Sequence, residues 1–192
     1  MTQRLAESDL ATPAGSRQLR STFALFATGI TVVTAKSPAG RPVGLTVNSF
    51  SSVSLTPPLI QWALARQSGS LGSFAAGMPF AVNVLAAPQA ELAVRFARQP
   101  QDKFEGLRCA SGLDHIPLIR GALACFECQV ENLVPAGDHV LIIGRVRLFT
   151  RHAADEPLVF FAGQYHPGLV PAGRREIAYG EVSEWDDDVW RI

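Results

Sequence analysis

The strongest constraint on the fold is a pair of long alternating runs in the second half of the sequence. Residues 124–131 carry an apolar side chain at every second position and place Glu127 on the opposite, polar face. Residues 140–148 repeat the pattern and end on Leu148, which shares the apolar, inward face. The segment 135–138 contains Pro and Gly and is typical of a hairpin turn. Two such strands, each with one buried and one wet face, indicate an antiparallel sheet.

Shorter patterned segments surround this hairpin. Further strands are predicted from β-branched or apolar runs at 30–35, 43–47, 59–64, 80–85 and 158–161. Short helices are predicted at 18–27, 71–76 and 88–97, and Thr28-Gly29 is expected to end the first of them. Six or seven mostly antiparallel strands with three short helices favour a mainly β (α+β) barrel over a doubly wound sheet.

The chain is expected to form a single domain with loose ends. Residues 1–16 lack periodicity and are interpreted as a flexible N-terminal arm. The domain itself spans residues 17–170, and residues 171–192 form a C-terminal tail. Segment 99–118 is punctuated by Pro, Gly and Asp and is predicted to be a long surface excursion.

Charge and cysteine content argue against several functional classes. The chain has 17 basic and 17 acidic residues, so no basic face for nucleic acid is expected. No run approaches the ~18 apolar residues that a membrane span requires. Cys125 and Cys128 lie three apart on a predicted strand, face opposite sides and are separated by roughly 10 Å. We therefore interpret both as structural and expect a reducing, cytoplasmic setting.

Residues 43–59 combine six hydroxyl side chains, Asn48 and Gly44 between two apolar runs. Small residues allow backbone N–H groups to approach a planar ligand or a phosphate closely. The same composition also suits a turn whose polar side chains form hydrogen bonds with the backbone groups of the turn itself. Segment 66–70 also has two interpretations. It is compatible with a phosphate-binding site and with a solvent-exposed loop in which Ser70 is the N-cap of a helix.

Standard catalytic motifs do not occur. The sequence contains no G-x-G-x-x-G after a strand, no phosphate-binding P-loop, no H-E-x-x-H and no G-x-S-x-G. The four histidines are scattered, so no metal centre is expected. Among them, His139 stands out because Asp138 precedes it at a strand entrance and could orient the ring.

An ordered set of segments resembles the short-chain flavin reductases, whose domain is an FMN-binding, antiparallel Greek-key split β-barrel. The resemblance covers roughly residues 18–170. It rests on Phe23 and 26–34, 44–55 with 57–59, 68–70, 80–85, 95–96, 102–104, 137–139 and 163–165.

The resemblance implies a set of site residues. The edge of the flavin ring system is expected to bind, largely through backbone groups, at Val43, Gly44, Leu45, Thr46, Asn48 and Ser49. The ribityl chain and phosphate are expected beside Ala63, Leu64, Ala65, Ser68, Gly69 and Ser70. The pocket or its phosphate end is completed by Arg95, Phe96, Lys103 and Phe104. The nicotinamide side is bounded by His139, Phe160, Phe161, Ala162, Gly163 and Tyr165.

The implied activity is hydride transfer from NADH or NADPH to FMN or FAD by a homodimer, with reduced flavin passed to a partner monooxygenase. Such catalysis depends mainly on positioning two rings, and His139 is expected to orient the nicotinamide amide. Ala162 departs from the family, whose members commonly carry Arg there, and this leaves NADH binding through that segment open. Two alternatives are a flavin-dependent oxygenase or oxidase on the same fold and a non-catalytic flavin-binding electron carrier.

Overall fold

The computed structural model describes residues 6–98, 102–152 and 156–168. The predicted tail, residues 171–192, lies outside the described residues, as do 1–5 of the predicted arm and 99–101 of the predicted excursion. The helices are α1 (Glu7–Leu10), α2 (Pro13–Phe23) and α3 (Ala90–Ala97), with 3₁₀ turns at Leu71–Phe74, Ala87–Gln89 and Leu113–His115. The strands are β1 (Thr28–Gly29), β2 (Thr31–Lys36), β3 (Pro42–Val47), β4 (Ser51–Leu55), β5 (Pro58–Ala65), β6 (Pro79–Val84), β7 (Cys109–Ser111), β8 (Pro117–Ile119), β9 (Ala124–Ala136), β10 (His139–Arg151), β11 (Leu158–Phe161) and β12 (Gln164–Pro167).

The main sheet has seven antiparallel strands in the order β3-β2-β6-β9-β10-β5-β4. Strands β3 and β4 form its two edges, so the sheet curls without closing, as in a split barrel. Ser49, in the short connection between these edges, accepts a hydrogen bond from the backbone N–H of Ala63 at 3.0 Å. The connection is thereby held against β5. The predicted mainly β, split-barrel fold is confirmed.

The β9–β10 hairpin is the longest element pair, with 13 residues in each strand. His139 pairs with Ala136 across a two-residue turn, Gly137-Asp138, in which Gly137 has a φ of 60°. A positive φ at this position is typical of the turns that close short hairpins. The hairpin predicted from alternation is therefore present.

The barrel interior is filled by side chains from the inward faces of the strands. Trp62, Phe74 and Phe80 are fully buried and pack edge to face or tilted, with Trp62 and Phe74 4.9 Å apart. Aliphatic residues such as Val33, Ile60 and Ile142 surround them. Burying this much apolar surface is the main stabilising contribution to the fold.

The face of β9 that we expected to be wet is covered instead. Glu127 is only 7% exposed, and its carboxylate accepts the backbone N–H of Leu113 at 2.6 Å. The segment predicted as a surface excursion provides this cover, since it contains Leu113 and the buried Ile116. Alternation alone did not show that the segment preceding β9 folds over the polar face. Leu148, predicted to face inward, is 52% exposed because β10 continues past the core.

Both cysteines of the C-x-x-C pair are free and buried. Burial raises the pKa of each thiol to about 12, with a further contribution from the Glu127 carboxylate. The Cys125 thiol donates to the side-chain oxygen of Asn83 at 2.7 Å. These contacts agree with a structural role for the pair.

Three local predictions were wrong. The first long helix begins at Pro13, with Thr12 accepting the N–H of Gly15, and ends at Phe23, so part of the predicted arm is helical. Thr28-Gly29 does not end a helix; it forms β1 and pairs with β11. The hydroxyl-rich segment after β3 is not a loop throughout, because residues 51–55 form the edge strand β4.

Candidate functional site

A groove of about 680 Å³ between β3, α3 and the segment after β5 gathers many of the predicted site residues. We call it the long groove. It is lined by Leu45, Thr46, Ala65, Gln67, Ser68, Gly69, Ser70, Phe96, Ala97, Arg98 and Lys103. Eight of these eleven residues were predicted from the sequence as cofactor-binding. A volume of this size is typical of small-molecule and cofactor sites.

One wall of the long groove is tied together by contacts between distant parts of the chain. The Thr46 hydroxyl on β3 donates to the carbonyl of Ala93 on α3 at 2.6 Å. The Lys103 ammonium donates to the carbonyls of Gly44 and Phe96 at 3.1 and 2.8 Å. Burial lowers the pKa of Lys103 below its ordinary value. Lys103 thus joins strand and helix while still lining the groove.

Gly44 has a packing role that the sequence did not indicate. A Cβ at this position would lie 2.4 Å from Cε1 of Phe96 and 3.0 Å from Cζ of Phe104. These rings contact each other edge to face, with centroids 5.1 Å apart. Glycine is therefore required so that two aromatic rings can pack against β3.

The opposite wall, residues 65–70, is a local turn. Its backbone bonds run from the N–H of Ser68 to the carbonyl of Ala65 and from the N–H of Leu71 to the carbonyl of Ser68. The helix predicted after it is a single 3₁₀ turn, Leu71–Phe74, and the Ser70 side chain makes no capping bond. Ser70 therefore occupies the N-cap position suggested by the sequence, but its side chain does not cap the turn. It lines the groove instead.

A smaller concavity of about 180 Å³ adjoins the long groove and shares Thr46 and Ala97 with it. We call it the small pocket; Ile30, Asn48, Phe160 and Tyr165 complete its lining. The rings of Phe160 and Tyr165 are 5.6 Å apart. Burial raises the pKa of the Tyr165 phenol, which keeps it protonated at neutral pH.

His139 lies beside the long groove rather than in it. It pairs directly with Ala65 across β10 and β5, and paired residues in antiparallel strands share a face. Its Nδ1 is 2.7 Å from a carboxylate oxygen of Asp138, and the side chain is 45% exposed. This hydrogen bond lowers the pKa of Asp138, assisted by the charge of the ring. His139 and Tyr165 do not line the same described concavity.

Several other predicted residues lie outside the two concavities. Leu64 points into the barrel core and is 5% exposed, so its side chain is not available to a ligand. Ala63 contributes its N–H to Ser49. Arg95 donates to the carbonyl of Glu105 and so secures the segment that carries Lys103. Val43 lines a neighbouring groove.

The hairpin between β11 and β12 presents Phe161, Ala162 and Gly163 on the surface. Ala162 and Gly163 both have positive φ values, 50° and 81°. The N–H of Ala162 donates to the carbonyl of Ala24 at 2.7 Å, which ties the hairpin tip to the end of α2. The position of Ala162, where the resemblance led us to expect Arg, is thus in a tight turn, and Ala162 does not line the small pocket.

Sequence reasoning missed Ile30, Gln67, Ala97 and Arg98 as lining residues. Ala97 and Arg98 directly follow the predicted Arg95-Phe96 pair, and placing the end of α3 at the groove would have found them. Nothing in the sequence distinguishes Ile30 from other core aliphatics. Within residues 6–98, 102–152 and 156–168 there is no cluster of three or more potential metal ligands. None of the helices in the described part of the chain is long and apolar enough to cross a membrane.

The donors around the two concavities fit a flavin. In the described part of the chain, the backbone N–H groups of Asn48 and Gly69 have no acceptor, and the Asn48 side chain makes no hydrogen bond. The guanidinium of Arg98 is also unpaired among these residues. Free amides suit the polar edge of the ring system, and cations with serine hydroxyls suit a phosphate.

Comparison with known proteins agrees with this geometry. Residues 23–169 match the family model described as a flavin reductase like domain. The chain belongs to the flavin-reductase-like family. The resemblance inferred from the ordered motifs is therefore confirmed.

Curated relatives of this family member carry reductase names. A probable flavin reductase of Rhizobium meliloti is 40% identical over 166 residues, 86% of this chain, but the chain spans only 53% of that protein. The FMN reductase (NADH) SmoA of Agrobacterium fabrum is 43% identical over 150 residues, 78% of this chain and 84% of its own length. The flavin-dependent monooxygenase reductase subunit HsaB of Rhodococcus jostii is 32% identical over 179 residues, 91% of each chain.

Solved structures extend the family comparison. The NADH:FAD oxidoreductase SgcE6 of Streptomyces globisporus, in complex with NAD and FAD fragments, superposes with a TM-score of 0.78 at 35% identity, covering 88% of this chain and 99% of that one. BorF, the flavin reductase component of a bacterial two-component tryptophan halogenase, gives 0.74 at 41% identity, covering 80% and 98%. The names of these relatives agree with the predicted activity and with the predicted nicotinamide and flavin cofactors.

Proposed function

We propose that this chain is an NAD(P)H-dependent flavin reductase that supplies reduced FMN or FAD to a separate monooxygenase. The observation that carries the proposal is the long groove, which collects predicted residues from β3, α3, the 65–70 turn and Lys103 into one cofactor-sized space. Relatives named as reductase components of two-component systems support a monooxygenase as the recipient.

The residues of the long groove divide into two functional ends. Beside the Thr46 end, the free backbone N–H and the unpaired side-chain amide of Asn48, which lines the adjoining small pocket, would hold the polar edge of the flavin ring system and stabilise the negative charge that develops there. At the other end, Ser68, Ser70 and the cations hold the phosphate. When bound, the flavin supplies the redox chemistry by accepting a hydride from the nicotinamide. The chain supplies position and charge complementarity.

We assign the nicotinamide to the small pocket, beside Phe160 and Tyr165. The pocket adjoins the Thr46 end of the long groove, so a ring placed there lies next to the flavin ring rather than next to its phosphate. Tyr165 contributes a neutral phenol and Phe160 an aromatic face. His139, held by Asp138, lies beside Ala65 rather than in the small pocket, and we propose that it orients the nicotinamide amide from the 65–70 side of the long groove.

We further propose a homodimer. Phe23, Leu25 and Phe26, at and just beyond the end of α2, are 67%, 60% and 77% exposed, and Phe161 on the neighbouring hairpin is 40% exposed. A contiguous exposed aromatic patch typically marks an interface. Sedimentation velocity should show a dimer that Phe26→Asp weakens, whereas a monomeric wild type would contradict this proposal. Three free cysteines in the described chain support a reducing, cytoplasmic location.

Steady-state kinetics test the central proposal. Purified protein should oxidise NADH or NADPH only when free FMN or FAD is added, and a monooxygenase added separately should then use the reduced flavin. Substrate oxygenation by the protein alone, with its flavin retained, would instead indicate an oxygenase. Flavin binding without nicotinamide oxidation would indicate an electron carrier.

His139 has its own test. His139→Ala should raise the KM for NADH with little change in the Kd for flavin, if the ring orients the nicotinamide amide. An unchanged KM removes His139 from the site. His115, which is exposed on a 3₁₀ turn away from both concavities, provides the matched control as His115→Ala.

A further inference from the structure

Thr28 carries a buried hydroxyl group that has no hydrogen-bond partner. In the described part of the chain, only two buried side-chain polar atoms lack a partner, Oγ1 of Thr28 and Nε1 of Trp62. Trp62 is fully enclosed among the side chains of the barrel core, where no described concavity reaches it. Thr28 lies on β1, at the side of the domain that carries the small pocket.

Other buried threonines of the neighbouring strand use their hydroxyls within the fold. The Thr31 hydroxyl donates to the carbonyl of Val47 at 2.9 Å, and the Thr34 hydroxyl donates to the carbonyl of Pro117 at 2.6 Å. A buried hydroxyl without a partner destabilises a fold, whereas valine of the same shape carries no such penalty. The Thr28 hydroxyl is therefore an exception that calls for a partner from outside the chain.

Thr28 belongs to the row of side chains that faces the small pocket. It pairs directly with Phe160 across β1 and β11, and Phe160 pairs directly with Tyr165 across β11 and β12. Directly paired residues of antiparallel strands share a face, with Cβ atoms about 4.5–5.5 Å apart. Phe160 and Tyr165 line the small pocket and Thr28 does not, so the hydroxyl lies behind the lining, next to Phe160.

The aromatic lining leaves room for this hydroxyl to be uncovered. The rings of Phe160 and Tyr165 are tilted by 59° with centroids 5.6 Å apart, and both side chains are only partly buried. The Phe160 ring can therefore turn aside when a flat molecule enters the pocket. A hydroxyl exposed in this way donates to a carbonyl oxygen, and the carboxamide of a nicotinamide provides one.

We propose that Thr28 is a substrate-binding residue, and that its hydroxyl donates a hydrogen bond to the carboxamide oxygen of the nicotinamide once the Phe160 ring turns aside. The inference rests on the proposed flavin reductase function and deepens it by adding a residue that holds the hydride donor. The amide nitrogen remains available to His139. Two contacts on one amide fix the plane of the ring against the flavin, as hydride transfer requires.

Thr28→Val keeps the shape of the side chain and removes the hydroxyl, so two effects of opposite sign are expected. The melting temperature should rise by about 2–4 °C, because an unpaired buried hydroxyl is lost. The KM for NADH should rise about tenfold, because one hydrogen bond to the substrate is lost, and the Kd for flavin should stay unchanged. Thr28→Ser retains the hydroxyl and should have a KM close to that of wild type.

Thr34→Val is the matched control. It makes the same chemical change on β2, but the hydroxyl that it removes is paired with the Pro117 carbonyl. The melting temperature of this variant should fall, and its KM for NADH should equal that of wild type. The two variants together separate a hydroxyl that binds substrate from one that stabilises the fold.

Reduced thionicotinamide adenine dinucleotide tests which atom of the substrate Thr28 contacts. Its sulfur replaces the carboxamide oxygen and is a weaker hydrogen-bond acceptor. The ratio of kcat/KM for NADH to kcat/KM for this analogue should be about tenfold smaller in Thr28→Val than in wild type. An equal ratio in the two proteins would show that Thr28 does not contact the carboxamide oxygen and would overturn the inference.

The remaining outcomes also decide the question. A wild-type KM for NADH in Thr28→Val overturns the inference, as does a fall in the melting temperature of that variant, since the hydroxyl would then stabilise the fold. A raised KM in both Thr28→Val and Thr28→Ser would assign the effect to packing and overturn it as well. Failure of wild type to oxidise NADH or NADPH with added flavin would contradict the proposed function itself, and this is measured before any variant is compared.

Discussion

The two walls of the long groove are built in different ways. The β3–α3 wall is joined by contacts between residues far apart in sequence, including Lys103 with Gly44 and Thr46 with Ala93. The 65–70 wall is a turn held mainly by short-range backbone bonds, with one bond to a distant residue, from the N–H of Arg66 to the carbonyl of Asp138 at 2.9 Å. We infer that the first wall couples ligand binding to the stability of the whole domain. The second contributes ligand contacts with little effect on folding.

The largest expected loss of stability comes from a substitution at Gly44, in the β3–α3 wall. Gly44→Ala places a Cβ 2.4 Å from the buried Phe96 ring, which must move. Overpacking of this kind costs about 2–3 kcal/mol of unfolding free energy. Denaturant unfolding and flavin titration should both show the loss. Gly69→Ala on the local wall, where a Cβ meets open space, is the matched control and should leave the unfolding midpoint unchanged.

Lys103→Met should have the next largest effect. The change leaves the carbonyls of Gly44 and Phe96 without the ammonium donor, which costs about 1.5 kcal/mol. It also removes a positive charge from the groove, so the Kd for flavin should rise. Equal stability of variant and wild type in denaturant unfolding would show that the hydrogen bonds from Lys103 to these two carbonyls do not stabilise the fold.

The same residue gives a pH prediction. The pKa of Lys103 in the folded protein is lowered from 10.5, so the unfolded chain keeps this proton to higher pH. Between the folded value and 10.5 the unfolded state binds more protons, and the Lys103 contribution to the unfolding free energy therefore rises with pH. Lys103→Met should lack this rise in denaturant unfolding measured across that window. Identical slopes for both proteins would contradict the assignment.

Thr46→Val tests a single hydrogen bond of the tied wall. It replaces the hydroxyl that reaches the Ala93 carbonyl with a methyl group of similar size, at a cost of about 1 kcal/mol. Thermal unfolding measures the change. Thr150→Val, on an exposed part of β10, serves as the control and should leave the unfolding temperature within error.

The smallest effect on stability is expected in the local wall. Ser68→Ala removes a hydroxyl that accepts the N–H of Ser70 at 3.3 Å, a long and weak contact. Stability should change by less than about 0.5 kcal/mol, as for most surface substitutions. The Kd for flavin should rise about threefold if the hydroxyl contacts the phosphate. A large loss of unfolding free energy in Ser68→Ala would show that the 65–70 wall stabilises the domain as the β3–α3 wall does, and would contradict the proposed difference between the two walls.

The sequence patterns identified residues that lie around the site, but they did not show which contacts those residues make. Gly44, Lys103 and Phe104 were all predicted to surround the cofactor. The structure shows that Gly44 accommodates aromatic packing and that Lys103 joins β3 to α3. A glycine in a strand and a lysine before a phenylalanine do not reveal such partners, because the partners are separated by many residues. The Ser68–Ser70 turn was easier to place, since its bonds are local.

The sequence by itself determined the longer strands of the main sheet, such as β9 and β10, because a period of two in the side chains follows directly from strand geometry. It also determined the order of the motifs, which was enough to indicate the family. Only the tertiary structure decided that the segment containing Leu113 and Ile116 covers Glu127, and that the long groove and the small pocket share Thr46 and Ala97. Those outcomes depend on contacts between elements distant in the chain, and no local pattern specifies such contacts.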